Sequence, residues 1–198
     1  RINKYMSQCG YCSRREADRL IEKGEVWING TLATMGTKVM PGDTVMVHHT
    51  TITPCQKEYL LAFHKPAGIV CTTSKIDKNN VIDYLNFPER IYPVGRLDKE
   101  STGLLLLTNN GQLMDDILRG SNYHEKEYIV HVNKLITDSV LQAMAQGVPI
   151  LDTITRPCKI RRMGKGCFYI TLTQGLNRQI RRMCEYFDYR VTSLKRIR

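Results

Sequence analysis

The first fifty residues alternate short helical and strand patterns that are separated by turn signals. Apolar residues at helical spacing predict helices over residues 2–8 and 14–24, and Ser13 stands three residues before a glutamate, which is the spacing of a capping box. Strand patterns lie on both sides of Asn29-Gly30, the pair most typical of a type I′ hairpin turn. We therefore predict a small unit of two helices and a hairpin sheet over residues 1–50.

Strand patterns dominate the rest of the chain. Residues 51–57 lose the periodicity and predict a linker, so a second unit is expected over residues 58–198. Its predicted strands are 59–63, 69–73 (the hairpin partner of the first), 104–107, 126–132, 154–162 and 167–173, and its predicted helices are 80–85, 112–119, 138–146 and 177–187. Because hairpins precede and interrupt the helices, we predict an α+β fold with a mixed, mostly antiparallel sheet flanked by helices, not an alternating βαβ fold.

The stretch from Gly95 to Thr108 has an unusual arrangement of charge. The apolar run 104–107 predicts a strand buried on both faces, and glycines bracket the loop before it. In that loop Asp98 lies between Arg96 and Lys99. The loop is either a solvated ion pair or a carboxylate held at the mouth of a core strand, and the local sequence leaves both readings open.

The last predicted helix is amphipathic and rich in arginine. Its apolar face holds Ile180, Met183, Cys184 and Phe187, and its other face holds Arg178, Arg181, Arg182 and Glu185. Asn177 is the expected N-cap. Three arginines beside one glutamate indicate that this face either binds phosphates or pairs with a carboxylate elsewhere in the fold.

The net charge of +10 and the pI near 9.3 favour a polyanionic partner, and nucleic acid is the leading candidate. The sequence has no apolar run of membrane-spanning length and no lipidation motif, so we expect a soluble protein without a membrane partner. Seven cysteines at irregular spacing favour a reducing cytoplasm over a disulfide framework. Cys9 and Cys12 form a C-x-x-C pair that lacks a second half, so we interpret them as structural thiols and not as a zinc or redox site.

Several catalytic signatures are absent from the sequence. There is no P-loop, no G-x-G-x-x-G and no G-x-S-x-G motif. The segment His124-Glu125 begins like a zinc-protease helix, but Tyr128 stands where the second histidine belongs. We therefore expect no metal, and an RNA hydrolase is a weak alternative because a second well-placed acid is missing.

The N-terminal unit resembles the small RNA-binding module named after ribosomal protein S-four. The likeness covers nearly the whole unit and rests on Arg1-Ile2-Asn3-Lys4-Tyr5, Cys12-Ser13-Arg14-Arg15-Glu16-Ala17, Gly24, Val26, Asn29-Gly30 and Pro41-Gly42-Asp43. It implies that RNA phosphates are held by Lys4, Arg14, Arg15 and Arg19, which would give affinity without choosing the target position.

Four further motifs occur in order along the second unit. They are Lys65-Pro66-Ala67-Gly68-Ile69-Val70, Gly95-Arg96-Leu97-Asp98 with Ser101-Thr102-Gly103-Leu104-Leu105, Lys126-Glu127-Tyr128, and Gly175-Leu176-Asn177-Arg178-Gln179-Ile180-Arg181-Arg182-Met183. On these motifs the chain resembles the RsuA-type ribosomal RNA pseudouridine synthases over essentially its whole length, and it looks closest to the type that acts on large-subunit rRNA. That family continues beyond the strand that ends at Arg198, so we expect a chain shortened at its C-terminus.

The resemblance implies a set of roles. Asp98 is the essential catalytic aspartate, Arg181 pairs with it, and Tyr128 stacks on the target base. A uridine in a stem-loop must be flipped out of the stem, and Arg96 is the candidate that fills the void. The remaining implied residues are Leu97, Leu172 and Ile180 as the apolar pocket wall and Arg178 and Arg182 as further RNA-binding cations.

The implied reaction needs no cofactor, because moving uracil from a C–N to a C–C glycosidic bond involves no net redox change. Asp98 can act as a nucleophile on the ribose or as the base that starts an elimination, and the sequence leaves both routes open. We expect a monomer in the cytoplasm whose partner is ribosomal RNA. The alternative is a non-catalytic RNA-binding or ribosome-assembly protein.

Overall fold

The structure, a computed structural model, describes residues 1–74 and 76–198. The chain divides into two compact units. The first consists of Arg1–Tyr59, Pro88–Arg90 and Asn109–Gly111, and the second of Leu60–Phe87, Ile91–Thr108 and Gln112–Arg198. Within the described ranges, no helix has both the length and the apolar character needed to span a bilayer.

The first unit packs two helices on a four-stranded sheet. Its elements are α1 (Ile2–Gln8), α2 (Arg14–Glu22), β1 (Val26–Ile28), β2 (Thr31–Leu32), β3 (Val45–Val47) and β4 (Thr50–Ile52), with the strand order β2-β1-β3-β4. The Ser13 hydroxyl accepts a hydrogen bond from the Glu16 backbone N–H at 3.1 Å, as the capping-box spacing predicts. Asn29 and Gly30 both have positive φ, as the type I′ turn requires.

Strand β4 corrects the predicted linker. Thr50–Ile52 pairs antiparallel with Val45–Val47, and the turn between them uses His48 and His49 at positive φ. Histidines are not typical turn residues, so the local sequence carries only a weak turn signal for this hairpin. Ordered β-structure therefore extends two residues into the stretch interpreted as a linker over 51–57.

The second unit is built around one large sheet. Its strands are β5 (Leu60–Lys65), β6 (Tyr92–Val94), β7 (Thr102–Thr108), β8 (Lys126–Val132), β11 (Lys159–Gly164), β12 (Cys167–Leu172) and β13 (Val191–Arg196), and a separate small pair is formed by β9 (Pro149–Ile150) and β10 (Thr153–Ile154). The large sheet has the order β11-β12-β8-β13-β7-β5, with β6 on β7. Strands β13 and β7 run parallel, whereas the other neighbours in this sheet run antiparallel.

Four helices accompany the sheet: α3 (Val81–Leu85), α4 (Gly111–Leu118), α5 (Asp138–Gln146) and α6 (Gln179–Tyr186). Each agrees with a predicted helix to within a few residues. The predicted α+β class with a mixed, mostly antiparallel sheet is confirmed.

Three predictions about strands were wrong. Residues 154–162 do not form one strand, because β10 ends at Ile154, β11 begins at Lys159 and no strand lies between them. Residues 69–73 do not form the hairpin partner of β5; its partner is β7, in a ladder from Leu60 with Thr108 to Lys65 with Gly103. The run 104–107 is not buried on both faces, because Leu105 and Leu107 are fully buried while Leu104 and Leu106 are only half-buried. A strand with one face in the core and the other lining a cleft gives the same continuous apolar run.

Helix α6 begins differently from the prediction. Asn177 is not its cap; the N-cap position is Arg178, which has a left-handed backbone (φ 50°) and no side-chain capping bond. Instead, the Gln179 side-chain oxygen accepts a hydrogen bond from the Leu176 N–H at 3.0 Å. The expected apolar face is buried, with Ile180, Met183 and Cys184 in the core and Phe187 packed against it.

Candidate active site

Asp98 lies in the loop between β6 and β7, and two glycines shape that loop. Gly95 has a φ of +79°, and Gly103 has a φ of +101°. A Cβ at Gly103 would come within 2.0 Å of the Arg196 carbonyl oxygen on the parallel strand β13. Glycine is therefore required at 103 so that β7 and β13 can approach each other directly beside the Asp98 loop.

Arg181 fixes the Asp98 side chain. Its Nε donates to Asp98 Oδ2 at 3.1 Å, and its Nη2 donates to the Ser101 hydroxyl oxygen at 3.1 Å. The Arg181 side chain is 10% exposed, whereas that of Asp98 is 26% exposed. A mostly buried guanidinium thus holds a carboxylate that still has one open side.

Asp98 does not pair with its sequence neighbours. Among the described residues, the cations near its carboxylate are Arg181 and, at 3.9 Å, Arg178, and not Arg96 or Lys99. The structure therefore favours a carboxylate held at the mouth of a core strand over a solvated ion pair within the loop. Its partner comes from a helix more than eighty residues further along the chain.

Lys65 anchors the same loop through a backbone carbonyl and was not predicted as a site residue. It is fully buried, and its Nζ donates to the carbonyl oxygens of Pro66 at 2.7 Å and Lys99 at 3.2 Å. The Gly68 N–H also donates to the Lys99 carbonyl, at 2.8 Å. Burial lowers the pKa of the Lys65 ammonium. The available signal was the alternation Leu61, Phe63, Lys65, which puts this lysine on the inward face of β5.

The Asp98 loop opens into a cleft of about 1170 Å³. Small-molecule sites are typically about 300–1,000 Å³, so the cleft has room for a nucleotide and part of its neighbours. The predicted wall residues Leu97, Leu172 and Ile180 line this cleft and are buried, together with Tyr128. Exposed Arg96 and half-exposed Arg178 lie at the same cleft, and Leu104 and Leu106 supply apolar surface that was not predicted.

Further basic residues also line the cleft. Lys126, Arg156 and Arg196 are all part of its lining, and none was predicted as a site residue. Burial, followed by the charges of Arg196 and Arg156, lowers the pKa of Lys126. The signal for Lys126 was its place two residues before Tyr128 on β8, which gives both side chains the same face of the sheet.

The other predicted RNA-binding residues lie elsewhere. Arg182 is not part of the cleft lining; it donates to the Asn177 carbonyl oxygen at 3.1 Å and to the Asn177 side-chain oxygen at 3.2 Å. The four remaining cations belong to the first unit, where three are exposed and one is half-buried, namely Arg14, Arg15, Arg19 and Lys4. Their RNA-binding role stays a prediction.

No group of three or more His, Cys, Asp or Glu side chains suited to a metal ion occurs in residues 1–74 and 76–198. The Cys9 and Cys12 side chains pack against the core of the first unit. Burial raises the pKa of Cys9 to about 11 and raises that of Cys12, which favours the protonated thiols of a packing role.

The geometry suits acid–base or nucleophilic chemistry on a nucleotide. The guanidinium of Arg181 orients the Asp98 carboxylate, and the open side of that carboxylate faces a cleft with an aromatic ring in its wall. Apolar walls around the ring can take a planar base. Cations at the margin can take the phosphates that accompany it.

Comparison with known proteins identifies the family of the chain. Residues 59–186 match the family described as RNA pseudouridylate synthase, and residues 1–45 match the S4 domain family. The chain belongs to the RNA pseudouridylate synthase family and carries an S4 domain at its N-terminal end.

Relatives and solved structures extend the likeness to the full chain. It is 54% identical to the dual-specificity RNA pseudouridine synthase RluF of Salmonella typhi, over all of this chain and 69% of the relative. It is 32% identical to the ribosomal large subunit pseudouridine synthase B of Bacillus subtilis, over 99% of this chain and 84% of the relative. A crystal structure of a pseudouridylate synthase superposes with a TM-score of 0.69 at 26% identity, covering 99% of this chain and 86% of that one.

Proposed function

We propose that this protein converts specific uridines of large-subunit ribosomal RNA to pseudouridine, with Asp98 as the essential catalytic group. The observation that carries the assignment is the Asp98 carboxylate, held by Arg181 at 3.1 Å and open to a cleft that Tyr128 lines. The name of one relative supports large-subunit ribosomal RNA as the substrate, because that relative is called a ribosomal large subunit pseudouridine synthase.

The reaction balances without an oxidant, a reductant or an energy source. The bond from ribose C1′ to uracil N1 breaks, uracil rotates, and a bond from C1′ to C5 forms. N1 ends with a proton, and the hydrogen of C5 leaves to solvent. Asp98 either attacks C1′ or removes a ribose proton to start an elimination, and Arg181 orients the carboxylate for either role. We assign stacking on the flipped base to Tyr128, beside apolar walls at Leu97, Leu172 and Ile180.

RNA is held at two places in this proposal. The S4 domain supplies Lys4, Arg14, Arg15 and Arg19 for phosphates, and the exposed Arg96 enters the space that the flipped uridine leaves. We place the reaction in the cytoplasm, which is supported by seven free cysteines in the described structure.

The test is release of tritium from RNA labelled at C5 of uridine. The wild-type protein should release it, and Asp98→Asn, which keeps the size of the side chain and removes its charge, should not. Normal release by Asp98→Asn would overturn the catalytic assignment. Salt-sensitive RNA binding without any pseudouridine would instead favour a non-catalytic RNA-binding protein.

The target uridine can be found by mapping pseudouridines in cells with and without the gene. Total RNA should be mapped and not only ribosomal RNA, because a close relative is named a dual-specificity enzyme. Loss of one or more large-subunit sites is the expected result. An unchanged large-subunit map would contradict the proposed substrate.

A further inference from the structure

Three cations, Lys126, Arg156 and Arg196, meet in one part of the cleft. Lys126 and Tyr128 lie on the same face of β8, and Arg196 lies directly opposite Tyr128 in the ladder with β13. Opposite residues of an antiparallel pair share a face, so Lys126 and Arg196 are diagonal neighbours there. Arg156 comes from the loop after β10, and its Nη1 donates to the carbonyl oxygen of Thr173, the residue after Leu172, which lies opposite Lys126 in the ladder between β12 and β8.

None of the three has a carboxylate partner among the residues that the structure describes. The acids on either side of Lys126 are already engaged: Glu125 pairs with Lys159 at 2.8 Å and with Arg198 at 3.0 Å, and Glu127 pairs with Arg198 at 3.5 Å. Cations this close repel one another, and burial adds to the cost of their charge. The free protein therefore holds a local excess of positive charge that an anion would relieve.

The two guanidinium groups are fixed before any ligand arrives. Arg156 Nη1 donates to the carbonyl oxygens of Gly120 and Thr173, at 3.3 Å each, and its guanidinium stacks on the Tyr123 ring at 4.3 Å. Arg196 is 8% exposed, and its Nε donates to the Leu104 carbonyl oxygen. Each arginine thus uses one guanidinium nitrogen for side-chain positioning, which leaves donors of the planar fork for an oxyanion.

We propose that Lys126, Arg156 and Arg196 form a binding subsite for one backbone phosphate adjacent to the target uridine. The inference rests on the proposed function, because RNA entering the cleft brings phosphates as its anions. The subsite would seat the flipped nucleotide by its backbone while Tyr128, between Lys126 and Arg196 in the ladder, meets its base. Recognition of this kind sets the position of the nucleotide and is independent of base sequence.

The test removes one charge from each side of the contact. Hairpins containing the mapped uridine are made with a neutral methylphosphonate at one phosphate at a time around that uridine. Their dissociation constants and single-turnover rates are measured with the wild-type protein, Lys126→Gln and Arg156→Gln. Lys165→Gln is the matched control, because Lys165 is exposed on the β11–β12 turn and is not part of the cleft lining.

At one phosphate position the wild-type protein should bind the neutral hairpin about tenfold more weakly, the scale of one charge-assisted hydrogen bond. Lys126→Gln should bind the unmodified hairpin more weakly by a similar factor and lose less than the wild type on the neutral one, because Arg156 and Arg196 still face the phosphate. Lys126→Arg should restore the sensitivity, and Lys165→Gln should match the wild type. In Lys126→Gln the slope of log affinity against log salt should also fall by about 0.7–0.9, the value of one released counterion.

Equal sensitivity of wild type and Lys126→Gln at every position, in folded proteins with equal melting temperatures, would overturn the subsite. So would unchanged affinity of both glutamine variants for the unmodified hairpin. Failure of the proposed function is a separate result: the wild-type protein would then form no pseudouridine in the unmodified hairpin.

Discussion

Helices α2 and α6 have similar arginine contents, but their arginines have different partners. On α2, Arg14, Arg15 and Arg19 are all exposed, and Arg19 makes a solvated pair with Glu16 in which its side chain is 71% exposed. On α6, Arg181 is 10% exposed and holds Asp98, while Arg182 bonds back to the loop before the helix. An exposed ion pair such as that of Arg19 with Glu16 contributes about 0–1 kcal/mol to stability. Arg19 can therefore exchange its glutamate for an RNA phosphate at little cost.

This difference shows that burial, and not the number of arginines, decides whether the arginines of a helix bind partners inside the protein or stay available to RNA. A guanidinium turned toward a core must find its acceptor inside the protein, because an unpaired buried charge is costly. A guanidinium turned toward water can leave its acceptor at little cost. Substitutions within the buried network of α6 and on the exposed surface of α2 test that division.

The largest effect is expected for Arg181→Ala. Asp98 loses its 3.1 Å partner and its orientation, so pseudouridine formation should fall by about a hundredfold or more, in the range seen when one preorganised electrostatic partner is removed. The free energy of unfolding should fall by about 1–3 kcal/mol. Single-turnover rates and denaturant titrations measure the two effects. Arg181→Lys keeps the charge without the fork to Ser101 and should recover only part of the rate. A loss of stability with an unchanged rate would make Arg181 purely structural.

Ser101→Ala should give a smaller effect through the same arginine. The buried Ser101 hydroxyl accepts from Arg181 Nη2 at 3.1 Å, so its removal loosens the guanidinium while Asp98 stays paired. We expect a rate about tenfold lower with the RNA dissociation constant unchanged, the size of one hydrogen bond to a charged group. Ser101→Thr retains the hydroxyl and is the matched control. Equal rates for the alanine variant and the wild type would show that the Asp98 contact alone orients Arg181.

Helix α6 shows which features of the site can be predicted from sequence and which cannot. The helix, its apolar face and the need of its arginines for an anion follow from residue spacing alone. The pairing of Arg181 with Asp98 came from family resemblance, because a contact across more than eighty residues has no local signal. Lys65, Lys126 and Arg196 were missed for a related reason. Each lies on a strand, and lysine and arginine are mostly exposed in folded proteins, so no local feature of the sequence marks these three as buried or half-buried.

The strand errors have a similar origin. The sequence of β7 does not show its alternating burial, because both faces of the strand carry leucines. One set packs in the core and the other lines the cleft. The partner of β5 was predicted from proximity in the chain, although its true partner β7 lies about forty residues further on. Strand pairing is set by tertiary packing, and a single sequence shows only which segments are able to pair.

On α2, Arg14→Ala should weaken RNA binding without changing the rate at which bound RNA is converted to pseudouridine. Arg14 is exposed on the first turn of the helix, so the fold should tolerate its loss. Affinity should fall to a similar extent for unrelated RNA hairpins, and the slope of log affinity against log salt should fall by about 0.7–0.9, as expected for one phosphate contact. Filter binding over a salt series measures this. Arg182→Ala is the comparison on α6, and an equal change in slope there would remove the division between the two helices.

The smallest effect is expected for Arg178→Ala, at the boundary between the two kinds of arginine. Its side chain is 43% exposed, and its Nη1 lies 3.5 Å from Glu100 and 3.9 Å from Asp98. A half-exposed pair of this kind should contribute no more than about 1 kcal/mol. The pKa of Glu100 is lowered first by its own backbone N–H and then by Arg178 and Arg181.

Because the pKa of Glu100 is lowered in this way, the stability lost in Arg178→Ala should depend on pH. A carboxyl whose pKa is lower in the folded state adds stability above its unfolded pKa and loses it as the pH falls through the folded value. Arg178→Ala should therefore be slightly less stable than the wild type at neutral pH, and the difference should shrink in acid as Glu100 takes up its proton. Thermal melts of the two proteins from neutral to acid pH measure the difference. Glu100→Gln should abolish it at every pH. A difference that persists in acid would mean that Arg178 acts through packing or through Asp98, which would group it with Arg181 and not with the exposed arginines of α2.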